Sequence, residues 1–273
     1  MNKLLKHWTT VLVGGLASVA VSFAIVGASM SPLPALDTPE FYAQIANKQV
    51  MTVGIDGTSG HCSGIIISPN EVLTAAHCVE AVMDRHTDLK DWKDVASHFD
   101  LQFSDGKVMK VDNITGLGYP ATQDDFAILT IDGNFLKEGR MIATCDAGNL
   151  VPPVSTKIFQ IGSPGESRIA ASWGRISSYL TSGESFGVWH GIVLADITGA
   201  PGSSGGPVFD MKGNLIGIVI AGGPSKLESY VPLYNIARDC VNGHVIPNRA
   251  PTHMHSYTHF KYDMHKPRGP QMR

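Results

Sequence analysis

The sequence predicts an all-β fold, and two observations support that prediction. From about Gln49 onward, short apolar runs such as VMTVGI, EVLTAAH, FAILTI and NLIGIVIA alternate with Gly, Pro, Asn and Asp. Apolar runs of this length between turn residues are typical of strands. Asp-Gly pairs at Asp105 and Asp132 and a Gly-Asn pair at Gly213 suit hairpin turns. A barrel or a sandwich of antiparallel strands follows.

Length, composition and charge narrow the class of protein. The chain has 273 residues, 43% of them hydrophobic, and its 21 basic and 24 acidic side chains give a formal net charge of -3. A chain of this size buries a substantial core and holds at most two ordinary domains. Its balanced charge provides no field that would collect nucleic acid, so we expect no nucleic-acid partner.

The N-terminus carries an export signal. Lys3 and Lys6 precede an uncharged, largely apolar run over residues 11–30. About 20 residues suffice for a membrane-spanning anchor helix, whereas Val26 and Ala28 have the spacing of a signal-peptidase site. The run is therefore interpreted either as a membrane anchor or as a cleaved signal peptide. In either case the rest of the chain is exported, to a periplasmic or extracellular location, either secreted or held at the membrane by residues 11–30.

Four cysteines, Cys62, Cys78, Cys145 and Cys240, are an even number in a chain predicted to be exported. Disulfide bonds are therefore expected, with three pairings possible in principle. The spacing of these cysteines is not that of a C-x-x-C zinc site, and we expect no metal. The charged stretch from Cys78 to Asp100 is interpreted as a surface excursion with a helical turn or two.

A glycine-rich loop exposes a serine hydroxyl. Gly202-Ser203-Ser204-Gly205-Gly206 lies between the strand-like runs ADI and VFD. Glycines let the backbone turn tightly, so that the N–H groups of Gly202 and Ser204 point at one spot and form an oxyanion hole. On its own, such a loop is as often a simple turn.

A nucleophilic serine needs a base, most often a neutral imidazole oriented by a carboxylate. His77 ends the run EVLTAA next to a cysteine, and Asp125 stands at the mouth of the run FAILTI. Taken singly, His77 is equally well a structural histidine and Asp125 an ordinary acidic turn residue.

Together, TAAHC, DFAIL and GSSGGPV in this order resemble the trypsin and chymotrypsin superfamily of serine peptidases. The resemblance runs from about Gln49 to Cys240. It implies two six-stranded antiparallel Greek-key barrels of the chymotrypsin-like kind, with the site in the cleft between them. His77 and Asp125 would belong to the first barrel and Ser204 to the second.

The domain organisation expected from the signal and the resemblance has five parts. A signal peptide or signal-anchor helix over 1–30 and a linker over 31–48 precede the barrels. The N-terminal barrel is expected over 49–145 and the C-terminal barrel over 146–243. A His-rich basic tail over 244–273 is expected to be disordered or loosely docked.

The resemblance also implies an activity, the hydrolysis of peptide bonds in a polypeptide substrate through an acyl-enzyme. His77 would act as the base, Asp125 would orient it, and Ser204 would be the nucleophile. The N–H groups of Gly202 and Ser204 would stabilise the oxyanion, and no cofactor would be required. Two alternatives stay open: a catalytically silent binding module with the same fold, and an esterase with the same triad.

Disulfide pairing and activation follow from the same resemblance. It implies that Cys62 pairs with Cys78 and Cys145 with Cys240. Activated trypsins carry an aspartate directly before the nucleophile, where this chain has Ser203. We therefore expect no activation by a newly cut N-terminus.

Substrate specificity is expected to differ from that of trypsin. The resemblance places the base of the primary specificity pocket six residues before the nucleophile, at Thr198, and the pocket wall at Ile220, Ala221 and Gly222. Because Thr198 is not acidic, cleavage after Lys or Arg is not expected. A small or medium uncharged side chain before the cleaved bond is expected instead.

Overall fold

Antiparallel strands build most of the molecule. The computed structural model describes residues 49–55, 61–86, 88–118, 125–164, 170–180, 192–222 and 228–248. The helical elements are α1 (Ala76–Met83), α2 (Trp92–Ala96), a 3-10 turn (Ala147–Asn149) and α3 (Leu233–Ile236). The strands are β1 (Gln49–Ile55), β2 (His61–Ser68), β3 (Glu71–Thr74), β4 (Phe99–Gln102), β5 (Val108–Lys110), β6 (Asn113–Leu117), β7 (Ala127–Thr130), β8 (Lys157–Gly162), β9 (Ala170–Leu180), β10 (Ile192–Ala195), β11 (Pro207–Asp210), β12 (Leu215–Gly222), β13 (Glu228–Pro232), β14 (Ala237–Val241) and β15 (His244–Pro247).

The first sheet has the strand order β5-β4-β1-β2-β3-β7-β6, and every neighbouring pair is antiparallel. In the described residues it is an open sheet of seven strands, where a closed barrel of six strands was expected. It thus has one strand more than expected. The difference lies at one edge, where the predicted turn at Asp105 folds a short hairpin that adds the three-residue strand β5. Gly106 occupies the positive-φ position of this turn, with φ of 84°.

The second sheet closes into a six-stranded barrel in the order β10-β13-β12-β11-β8-β9, as the resemblance implied. The predicted turn at Gly213 joins β11 to β12, and the Asp210 N–H donates to the Asn214 carbonyl at 2.9 Å. The third expected hairpin is not formed, because Asp132 lies in a bend that follows β7.

Alternating side chains of the second barrel serve two hydrophobic clusters. Ile158 of β8 and Val208 of β11 belong to a cluster that includes Val193 and Tyr230. Their chain neighbours Phe159 and Phe209 join the larger cluster built on the first sheet, and these two rings stack at 5.2 Å. The two sheets therefore share one hydrophobic core, which holds them together.

The stretch from Cys78 to Asp100 forms the helical turns that were predicted, but it is more than a surface excursion. Helix α1 buries Val79 and Val82. Helix α2 buries Trp92 and Val95. Residues three apart lie on one side of a helix, and here that side packs into the core. The charged residues that suggested exposure occupy the other sides.

The expectations for the two ends of the chain have different outcomes. The predicted N-terminal hydrophobic helix and the linker over 31–48 lie outside the described residues. In the part of the chain that the structure describes, no helix is both long enough and apolar enough to cross a membrane. At the other end, β15 pairs with β14 and extends to Pro247, four residues into the region expected to be tail.

Two disulfides join distant parts of the chain. Cys62 at the start of β2 is bonded to Cys78 in α1, and Cys145 is bonded to Cys240 in β14. These are the pairings that the resemblance implied. The first bond ties α1 to the first sheet, and the second ties the segment after that sheet to the β14-β15 hairpin.

The two disulfides are expected to differ in their effect on stability. In the chain-entropy model a bond that closes a loop of about 15 residues stabilises by about 3 kcal/mol, and one that closes about 100 residues by about 4.7 kcal/mol. The sequence separations here are 16 and 95. We therefore expect the Cys145→Ala/Cys240→Ala variant to lose more free energy of unfolding in urea than Cys62→Ala/Cys78→Ala. The reverse order would show that native contacts, and not loop closure, set the effect.

Candidate active site

His77 lies in the first turn of α1, which begins directly after β3. Ala75, the N-cap residue, is extended and provides no side-chain cap. The carboxylate of Asp125 supplies that cap from another part of the chain, because its Oδ1 accepts the His77 backbone N–H at 2.9 Å. A side-chain oxygen on such an N–H satisfies one of the unpaired donors at a helix N-terminus.

The same carboxylate holds the imidazole. Asp125 Oδ2 lies 2.7 Å from His77 Nδ1, so the two oxygens of one carboxylate bind the backbone and the ring of one residue. The strand register brings them together, because Thr74 pairs with Ala127 across β3 and β7. Asp125 is 2% exposed, whereas 35% of the His77 side chain is exposed.

This contact selects the tautomer of the neutral ring. An ionised carboxylate only accepts hydrogen bonds, so the proton of neutral His77 resides on Nδ1. Nε2 then keeps a lone pair that accepts a proton. Since 35% of the His77 side chain is exposed, His77 combines a solvent-accessible side chain with a basic ring nitrogen, which is what a general base needs.

The pKa of His77 is raised above its ordinary value of 6.5. Burial pulls that pKa down, but the hydrogen bond that His77 donates to Asp125 and the negative charges of Asp125 and Glu80 outweigh it and stabilise the imidazolium. Glu80 lies three residues further along α1, close to the same face.

The loop with Ser204 is a chain of tight turns. The Ser203 N–H donates to the Ala200 carbonyl and the Gly206 N–H to the Ser203 carbonyl, each at 2.9 Å. Gly202 and Gly205 have φ of 98° and 79°, which side chains other than glycine rarely adopt. Ser203 is 3% exposed, and its hydroxyl accepts the Ala200 N–H at 3.3 Å.

This loop packs directly against the strand ends that lead to His77. The Ser63 N–H donates to the Ser204 carbonyl at 2.6 Å. A Cβ on Gly205 would lie 2.3 Å from Thr74 Oγ1 and 2.8 Å from the Ala75 nitrogen, so only glycine fits there. Ser204 is thereby held next to the segment that carries the imidazole.

The expected pocket residues lie around β12 and the loop after β10. Thr198 is exposed, and its N–H donates to Ser172 Oγ at 2.6 Å. Ile220 is 3% exposed and packs in the larger core cluster, which leaves only its backbone for a pocket wall. Ala221 and Gly222 pair with β13.

Sequence reasoning missed two polar residues of this region. Gln160 is 3% exposed and its amide nitrogen donates to the Thr198 carbonyl, which fixes the Thr198 backbone. Ser63, 1% exposed, contacts the Ser204 loop. The available signal was a polar side chain within an apolar run, KIFQIG for Gln160 and HCSGIII for Ser63.

A group of possible metal ligands lies beside the imidazole. Ligand atoms of Cys62, His77 and Cys78 are within 4.8 Å of one another. The two sulfurs are bonded to each other, so neither is a thiolate that would bind a metal.

Comparison with known proteins identifies the family to which this chain belongs. Residues 62–218 match the family model of the trypsin-like peptidase domain, and the chain belongs to this family. The predicted resemblance to trypsin-like and chymotrypsin-like peptidases is thereby confirmed.

Particular relatives are bacterial. A glutamyl endopeptidase from Staphylococcus epidermidis is 24% identical over 196 residues, 71% of this chain and 65% of that protein. The glutamyl endopeptidase of the strain ATCC 12228 / FDA PCI 1200 matches equally. This chain thus spans 65% of the length of these relatives.

A solved structure supports the fold class. The crystal structure of the serine endoprotease from Yersinia pestis is similar with a TM-score of 0.52 and 18% identity, covering 72% of this chain and 64% of that one. The all-β, chymotrypsin-like fold class is thereby confirmed.

The imidazole titration provides a test of this geometry that does not depend on activity. In a Ser204→Ala background, NMR titration of His77 should give a pKa above 6.5. Asp125→Asn removes the main stabilisation of the imidazolium while burial still disfavours charge, so the pKa should fall. Glu80→Gln should lower it by a smaller amount.

Asp132→Asn, an exposed carboxylate after β7, is the matched control and should leave the titration unchanged. A His77 pKa that does not respond to Asp125→Asn would contradict the hydrogen bond described above.

Proposed function

We propose that this chain is a serine endopeptidase with His77, Asp125 and Ser204 as its catalytic triad. The observation that supports it most is the double hydrogen bond of the Asp125 carboxylate to His77, beside a serine loop that is hydrogen-bonded to Ser63 of the adjacent strand β2. Membership of the trypsin-like peptidase family supports the same reaction class.

The mechanism is acyl transfer. His77 Nε2 takes the proton of the Ser204 hydroxyl as Oγ attacks the carbonyl carbon of the cleaved peptide bond. Asp125 keeps the second ring proton on Nδ1 and stabilises the imidazolium that forms. His77 then gives its proton to the leaving amine, and water, activated by the same imidazole, hydrolyses the ester and frees Ser204.

The oxyanion of each tetrahedral intermediate would be bound by the N–H groups of Gly202 and Ser204. A donor of this kind contributes about 3 to 4 kcal/mol to transition-state stabilisation in comparable sites. The positive φ of Gly202 supports the proposal, since it permits the sharp turn that such a donor pair needs.

The two disulfides support an oxidising compartment for the working protein. We infer that the chain is exported to the periplasm or the cell exterior, its N-terminal run acting as a cleaved signal or as an anchor. Cell fractionation tests this: recovery in the cytoplasm with reduced cysteines would contradict it.

Labelling with a fluorophosphonate probe tests the triad. The folded, oxidised protein should react, and Ser204→Ala and His77→Ala should abolish labelling. Asp125→Asn should slow turnover by about 10⁴-fold, because the imidazole then loses its tautomer control. The neighbouring Asp124→Asn is the matched control and should be close to wild type.

An unreactive wild type that is correctly folded would indicate a catalytically silent relative. Labelling together with hydrolysis of esters but not of peptides would indicate an esterase.

The primary specificity pocket is proposed to accept a small or medium uncharged side chain. The related proteins are named glutamyl endopeptidases, but a carboxylate needs a cation or several donors when it is desolvated. Thr198, Ile220, Ala221 and Gly222, the residues that we assign to the pocket, carry no charge.

A peptide-library cleavage profile checks this assignment. Ala, Val, Thr or a similar side chain should dominate before the cleaved bond. Thr198→Asp should raise kcat/KM for Arg relative to Ala, since it places an acid at the pocket base. A wild-type profile dominated by Arg, Lys or Glu would contradict the proposal.

A further inference from the structure

Ser63 of β2 contacts both residues that supply the proposed oxyanion donors. Its backbone N–H donates to the Ser204 carbonyl at 2.6 Å, and its hydroxyl donates to the Gly202 carbonyl at 2.7 Å. Ser63 itself belongs to the first sheet, next to the disulfide-bonded Cys62. One residue of the first sheet therefore forms two hydrogen bonds to the Ser204 loop.

The Ser63 hydroxyl both donates and accepts a hydrogen bond. Besides donating to Gly202, its oxygen accepts the Ser163 N–H at 2.9 Å, from the turn after β8. A hydroxyl has a single proton, so these two partners fix its direction. Because Ser63 is 1% exposed, solvent does not compete for either bond.

The surroundings of Ser63 are built to allow this close approach. A Cβ on Gly162 would lie 3.3 Å from Ser63 Oγ, and one on Gly206 would lie 3.3 Å from Ser63 Cβ. A Cβ on Gly205 would lie 2.2 Å from the Ser63 carbonyl oxygen, which also accepts Thr74 Oγ1 at 2.7 Å. Three glycines thus leave room for one buried serine.

We propose that Ser63 is a positioning residue that holds the oxyanion loop in its working conformation. This inference rests on the proposed function. Gly202 has a positive φ and no side chain, so nothing of its own keeps the peptide on either side from rotating. Ser63 Oγ binds the Gly202 carbonyl, and the Ser203 N–H of the same peptide plane donates to the Ala200 carbonyl. This plane joins the two planes that carry the N–H groups of Gly202 and Ser204, so holding it restricts the directions in which both donors point.

The expected consequence lies in the transition state and not in substrate binding. Oxyanion donors act on charge that develops during the reaction, so a donor that points in the wrong direction lowers kcat and leaves KM nearly unchanged. Ser63→Ala keeps the backbone bond to Ser204 but removes the hydroxyl. Removing a whole oxyanion donor costs about 10²- to 10³-fold in kcat, so misdirecting one should cost about 10- to 100-fold.

The experiment measures kcat and KM of the full chain for a peptide substrate, with rates normalised to active sites titrated with a fluorophosphonate. Ser63→Ala should lower kcat per titrated site by about 10- to 100-fold and change KM less than twofold. A peptide aldehyde, whose adduct carries the oxyanion, should bind more weakly by a similar factor. A peptide product that lacks the reacting carbonyl should bind as it does to wild type.

Thr130→Val is the matched control. It removes another hydroxyl-to-carbonyl bond of the first sheet, from Thr130 Oγ1 to the Asn113 carbonyl at 3.1 Å. Its kcat per titrated site should equal that of wild type. If Ser63→Ala yields no folded protein, Ser63→Gly removes the same hydroxyl together with Cβ, and the same loss is expected.

Two results would overturn the inference: an unchanged kcat per titrated site in Ser63→Ala, or an equal loss in Thr130→Val. A wild-type protein that neither labels nor hydrolyses peptides would instead refute the proposed function.

Discussion

The carboxylate of Asp125 lies almost wholly inside the protein, at 2% exposure, where an unpaired charge would cost several kcal/mol. The fold compensates by directing the first turn of α1 at it. One oxygen caps the His77 N–H and the other holds the ring, so helix start and imidazole orientation depend on one buried charge. The register of β3 with β7 and the place where α1 begins are both constrained by this need.

A second constraint concerns how the two sheets meet. They share a hydrophobic cluster, but apolar contact alone is non-directional and does not set the position of a loop. Directional contacts do so at Ser63, whose partners Gly202, Ser204 and Ser163 all belong to the second half of the chain. The bond from Cys62 to Cys78 anchors the same stretch of β2 to α1. The helix that carries His77 and the loop that carries Ser204 are therefore both held by one short segment of β2.

The sequence predicted what local patterns encode. The all-β class followed from alternating apolar runs and turn residues, and the family followed from three motifs in order; both are confirmed. The hairpin at Asp105 was predicted as a turn, but the sequence did not show that its second strand would join the sheet edge. The burial of Val79 and Val82 was missed because charged residues like those around them are also typical of a helix on the protein surface.

The polar contacts of the site were beyond sequence reasoning for a different reason. Ser63 and Gly202 are 139 residues apart, and no periodicity relates them. Gln160 lies in an apolar strand, and its contact with Thr198 depends on how the barrel closes. Such contacts are properties of the assembled fold. Only an unusual polar residue in a buried run marks where to look for them.

The electrostatics of His77 explain why its partial exposure matters. Burial is the largest influence on its pKa and acts against the imidazolium, whereas Asp125 and Glu80 act in its favour. A bound peptide would cover the exposed third of the ring and strengthen the desolvation, which shifts the ring toward the neutral form that accepts a proton. Asp125 is already buried and would lose no water in that step, so in the proposed mechanism its stabilisation of the imidazolium would be undiminished when the serine proton is transferred. Substrate binding would then favour the neutral, proton-accepting form of His77 before proton transfer. The fixed carboxylate of Asp125 would favour the imidazolium after proton transfer, and neither residue would rearrange between these two steps.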